Sequence, residues 1–186
     1  MNIRSILHIS GGLAALALLT AVVAPHMAAQ TADSEEISKL FLEAKSHATL
    51  AEHDAAVLES YTHSRIARKS HAARLNVIKE HVNDLGKVAR QLSDRKDQGS
   101  PWQQEAINQI DPLLRGMADQ LTATIKHLNE NQGRTSFAPY HDYVEANHDL
   151  AGKTAELMSD IVEYDRSNAK ARLIEQRLQL PTGKSE

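Results

Sequence analysis

The stretch Asp94-Arg-Lys-Asp-Gln-Gly-Ser-Pro-Trp-Gln103 decides how the chain is read. Gly99-Ser100-Pro101 breaks any helix that reaches it and starts a new one at once. Ser100 reads as an N-cap, and Pro101 sits at the first helical position, where its missing N–H costs nothing. Gln103, three residues after the cap, closes a capping box. One helix therefore ends within Asp94–Gly99 and the next begins at Pro101.

Downstream, Ile107, Ile110, Leu114, Met117, Leu121, Thr124 and Leu128 recur in threes and fours, the spacing of one helix face. The stripe holds phase through Asp111-Pro112, so Pro112 reads as a kink inside a helix over 101–131. Asn129 to Gly133 closes that helix. Pro139 then opens another over 138–178, whose expected core positions are Tyr140, Tyr143, Asn147, Leu150, Thr154, Leu157, Ile161 and Tyr164. Upstream, His71, Leu75, Ile78, Val82, Leu85, Ala89 and Leu92 mark a helix over 68–97. Ile37, Leu40, Ala44, Ala48, Ala51, Ala55 and Leu58 mark one over 34–62, capped at Asp33-Ser34. These two stripes are out of phase, which places a turn within Thr62–Lys69; one long bent helix is the alternative. The expected fold is all-α, an up-down-up-down four-helix bundle with the 3.5-residue spacing of coiled-coil-like packing.

The chain opens with Met-Asn-Ile-Arg4 and an uncharged run from Gly11 to Ala24, broken by Pro25 and followed by His-Met-Ala-Ala29. This is the pattern of a cleavable signal peptide over 1–29, cut after Ala29. An uncleaved anchor is the rival, but the apolar run is shorter than the about 20 residues that a membrane span needs. The expected domain is 30–180, with a tail over 181–186, and the expected location is periplasmic or secreted.

Cysteine is absent, which removes disulfides, thiolate metal sites, covalent haem attachment and thiol nucleophiles. Beyond residue 29 the chain has 20 Lys+Arg (21 less Arg4) against 24 Asp+Glu, a net of −4. So weak an acidity gives no overall basic field for nucleic acid or anionic lipid.

Ile78-Lys-Glu-His-Val-Asn83, Ser100-Pro-Trp-Gln-Gln104 and Ile110-Asp-Pro-Leu-Leu114 together resemble a group of exported bacterial all-helical proteins of unknown function, over about residues 35–178. The resemblance implies the helical fold and no activity.

Eight histidines follow residue 29, at 47, 53, 63, 71, 81, 127, 141 and 148. With a rise of about 1.5 Å per residue, His63, His71, His127 and His141 fall near one end of the expected bundle and none falls near the Gly99 end. His141, Glu145 and His148 lie at i, i+4 and i+7 on one stripe. With His127 and His71 they are the candidate ligands for zinc, copper or nickel. Glu145-Ala-Asn-His148 is also the Glu-x-x-His pattern of di-iron bundles, but no second copy exists; Glu43…His47 and Glu59…His63 have other spacing. The plainer reading is solvated histidines on flanking positions, of which only His71 sits on a core stripe. Several imidazoles at one end also predict sensitivity to pH between about 5 and 7. Met117 or Met158 with a histidine could hold a b-type haem, although methionine as core filler is the simpler account. Trp102 reads as a lid over its end of the bundle.

No nucleophile–base order, phosphate loop or paired inward carboxylates points to an enzyme. The leading expectation is a non-enzymatic exported bundle that binds or scaffolds in the cell envelope, with an envelope protein or a second copy as partner. No nucleic-acid partner is expected, and no membrane span in the mature chain. The alternative is a transition-metal-binding or haem-binding bundle using the histidine-rich half.

Overall fold

A computed structural model describes residues 33–131 and 138–178. The expected signal segment, its cut after Ala29, the connection over 132–137 and the tail over 181–186 lie outside the described residues. The helices are α1 (Glu35–Thr62), α2 (Arg68–Arg95), α3 (Pro101–Glu130) and α4 (Ala138–Leu178), with a single 3₁₀ turn, Lys96–Gln98, between α2 and α3. Among the described residues there is no strand, and the fold is all-α with four helices.

The chain does turn between α1 and α2. His63, Ser64 and Arg65 form the turn, and Ala67 is extended at φ −65° and ψ 140° before α2 begins. α3 runs unbroken through Pro112. α1 packs on α2 and α4, and α3 packs on the same two. At one end the starts of α1 and α3 meet, and Glu36 of α1 pairs with Arg95 at the end of α2. At the other, Arg68 at the start of α2 donates to the carbonyl of Leu128 near the end of α3. Successive helices therefore run in opposite directions.

The expected core stripes of α1 and α3 are buried throughout, and α2 differs only in burying Val88 where Ala89 is half-buried. α4 departs further. Its buried face is Tyr140, Val144, Asn147, Ala151, Thr154, Met158 and Ile161, with Ala155 and Val162 beside it, whereas Tyr143, Leu150 and Leu157 sit on its flanks and Tyr164 is 52% exposed. The reason lies in side-chain size. α1 presents Ala44, Ala48, Ala51 and Ala55 on its buried strip, and a strip so shallow is matched by small residues, which let two backbones approach. The larger side chains fill the seams: Leu150 lies over Gly116 of α3. Asn147 donates to Thr124 Oγ1 across the core and to the Tyr143 carbonyl at 2.9 Å. A buried polar pair of this kind fixes the register of α3 against α4.

The capping box forms as expected, and Gln103 does more than close it. Its Oε1 accepts the Ser100 N–H at 3.1 Å and, across the bundle, the Ser34 N–H at 2.8 Å. Its amide donates to the Ser34 carbonyl at 3.1 Å and to Ser38 Oγ at 3.3 Å. One fully buried side chain thus caps two parallel helix starts. Trp102 covers this end, its ring 6.0 Å from that of Phe41 and 5.0 Å from that of Tyr164, with Nε1 donating to Asp33.

Gly99 is buried directly beneath this network. A Cβ there would stand 2.9 Å from Ile37 Cδ1, 3.1 Å from Gln103 Cβ and 3.3 Å from the Lys96 carbonyl. Its backbone, at φ −85°, suits any residue, so the constraint is space alone. Gly99→Ala is expected to destabilise the fold by about 1–2 kcal/mol through overpacking, measured as a lower urea midpoint with an unchanged m-value. An unchanged midpoint would mean that Ile37 yields freely.

Candidate metal site at the histidine-rich end

At the end of α1 the Thr62 hydroxyl donates to the Glu59 carbonyl at 2.7 Å, and His63 leaves helical geometry at φ −88° and ψ 2°. Glu59 and His63 are one turn apart, and that i, i+4 spacing sets both on the face that meets α4. On α4, His141, Glu145 and His148 continue the same seam. His63 Nε2 and His141 Nε2 are 3.4 Å apart, with the rings edge to face at 4.9 Å between centroids. Ligand atoms of Glu59, His63 and His141 all lie within 4.8 Å of one another, as do those of His141, Asp142 and Glu145.

Around this group stands a second layer. Glu145 Oε2 lies 3.7 Å from His141 Nδ1, on the side of the ring away from His63. His148 Nδ1 is paired with Glu59 Oε2. The side chains are partly open to solvent, with His141 32% and Glu59 26% exposed. The three stripe residues read from the sequence therefore meet Glu59 of α1 and His63 of the turn that follows it.

His71 and His127 belong elsewhere, to an aromatic cluster in the base of the bundle. His71 is fully buried, with Nδ1 3.2 Å from the Tyr140 hydroxyl and its ring edge-on to Tyr61 and Tyr140. Among the described residues its Nε2 has no hydrogen-bond partner. Burial lowers the His71 pKa below its usual 6.5, and burial likewise raises that of the Tyr140 phenol. His127 stacks on Tyr140 at 6.2 Å and tilts against Tyr143 at 4.9 Å. Met117 and Met158 are buried in the core. Farther up the α1–α2 seam, Asp54 pairs with Arg74 and lies 3.2 Å from His81 Nε2, an internal ion pair that joins the two helices.

Glu59 was the residue least visible in the sequence, because its spacing to His63 does not match the di-iron pattern. The available signal was simpler, since any Glu and His four apart on a helix share a face. Comparison of the chain with protein-family models, curated proteins and solved structures found no match.

Proposed function

We propose that this protein is a non-enzymatic, exported helical bundle that binds a transition-metal ion, zinc, copper or nickel, through His63, His141 and Glu59. The observation that carries the reading is the 3.4 Å separation of the two Nε2 atoms. On a tetrahedral ion with metal–nitrogen bonds of about 2.0–2.1 Å, two nitrogens stand roughly 3.3–3.4 Å apart. The imidazoles thus need little movement to share an ion, and a carboxylate oxygen with water would complete the shell.

Glu145 and His148 support the same reading from outside. Closing the 3.7 Å gap between Glu145 and His141 Nδ1 on metal binding would hold the proton on that nitrogen and leave the Nε2 lone pair for the ion, while His148 steadies Glu59. Partial exposure favours an ion that exchanges, which suits a carrier, buffer or sensor in the cell envelope better than a permanent structural ion.

Calorimetric titration of the EDTA-treated protein with zinc, copper and nickel is expected to give one site per chain and a higher melting temperature with bound metal. His63→Ala and His141→Ala each abolish that site, and Glu145→Gln weakens it about 10–100-fold. His127→Ala leaves it unchanged. No binding of any of the three ions, or full binding by the His63→Ala/His141→Ala double variant, would overturn the reading.

A further inference from the structure

α4 has 41 residues against 28, 28 and 30 for the other helices. Its buried positions stop at Val162, and from Arg166 to Leu178 every residue is exposed except Asn168. At about 1.5 Å per residue, this segment extends the helix by roughly 20 Å. One side of it serves the bundle. Arg172 pairs with Asp33 at 2.7 Å, Gln176 lines a groove against the start of α1 whose outer edge is formed by Arg166 and Leu173, and Glu175 lines a cleft over Pro101 and Trp102.

The other side has a different composition. At about 100° per residue, Leu173, Arg166, Arg177, Lys170, Ile174 and Leu178 fall in one arc of roughly 140°. The three aliphatic side chains are 55%, 44% and 62% exposed, in the order Leu173, Ile174, Leu178. The arc contains no acid. Glu175, the single acidic residue of the segment, lies on the opposite side. Over 166–178 the charge is +3, from Arg166, Lys170, Arg172 and Arg177 against Glu175, within a chain whose net charge is −3. The chain's average charge conceals a local cationic face.

We propose that this arc of α4 is a membrane-surface contact that lays the end of the bundle against a bilayer rich in anionic phospholipid headgroups. Interleaved aliphatic and long basic side chains suit that interface, since the aliphatic groups enter the acyl boundary while the Arg and Lys stems reach back to the phosphates. None of the described helices is long and apolar enough to cross a membrane, so the contact lies in the plane of the surface. A second copy fits the arc poorly. Two-fold pairing would set its three cations against three others with no carboxylate between them. The contact is at the opposite end of the bundle from the metal ligands and does not depend on them.

Flotation of the full chain with vesicles tests the proposal. Binding is expected to an equal mixture of phosphatidylglycerol and phosphatidylcholine, not to phosphatidylcholine alone, and is reversed by high salt. Each basic residue at such a surface is worth about fivefold, so Arg166→Gln/Lys170→Gln/Arg177→Gln weakens partition about a hundredfold. Leu173→Ser/Ile174→Ser weakens it with the charge intact. Both variants should keep the wild-type circular dichroism and melting temperature, because none of these side chains is in the core. Absence of binding to acidic vesicles, equal binding to neutral ones, or an unaffected triple variant each overturns the proposal. Capture of poly-glutamate without binding to acidic vesicles would overturn it in favour of an acidic protein partner.

Discussion

Replacing Gln103 by leucine is expected to lower the unfolding free energy by about 3 kcal/mol, with two orphaned N–H groups at roughly 1–3 kcal/mol each. Leucine is close to glutamine in volume, so little of the loss is cavity. What is lost is the acceptor for the N–H groups of Ser34 and Ser100 and the donor for the Ser34 carbonyl. Gln103 has no solvent exposure, and an apolar side chain in its place hinders water from replacing it. For a chain of this size the melting temperature should fall by about 10 °C. Gln109→Leu, at an exposed position of the same helix, is the control and should change stability by under about 0.5 kcal/mol. A loss at Gln103 no larger than at Gln109 would show that the double cap adds nothing.

That residue also marks how far the fold was legible. Capping chemistry is local, so Ser100-Pro101-Trp102-Gln103 announced the start of α3 and the role of Gln103 toward its own cap. The second role, toward Ser34, joins residues 69 apart, and no local pattern encodes it. The same division holds for core faces. On α1 and α3 the buried stripe is the longer apolar series, although Leu42 and Leu50 of α1 stand off it at 50% and 45% exposed. α4 carries large residues on two adjacent strips, and the choice between them depends on the alanine-lined surface of α1. Helix α4 was therefore placed correctly along the chain and rotated wrongly about its axis.

The candidate site divides in a similar way. The stripe of His141, Glu145 and His148 was readable because one helix holds all three. His63 could be assigned to the correct end from helix lengths alone, but its 3.4 Å approach to His141 depends on the turn after α1. His71 and His127 share that end without joining the ligands. Height along a bundle is legible in a sequence, whereas rotation about each axis is set by packing.

Below pH 6.5 the fold is expected to lose stability through His71, by up to about 1.4 kcal/mol per pH unit, the limit for one differentially bound proton. Burial lowers its folded pKa below 6.5, so over the window beneath that value the unfolded chain binds more protons than the folded one. Stability from this group is therefore complete above about 6.5 and declines as pH falls toward the lowered pKa. The structural cause is plain: a charged imidazole carries N–H donors on both nitrogens, and Nε2 has no acceptor among the described residues. A single pH curve sums every ionisable group of the chain. The decisive measurement is consequently a difference between two proteins, made in EDTA. Phenylalanine at both positions of the His71–Tyr140 pair keeps the ring packing and removes both polar partners together, a change that can be nearly neutral at pH 8. Urea unfolding of the wild type and of His71→Phe/Tyr140→Phe from pH 8 to 5 should show a steeper acid-side fall in the wild type. Parallel curves would assign the acid sensitivity to other groups.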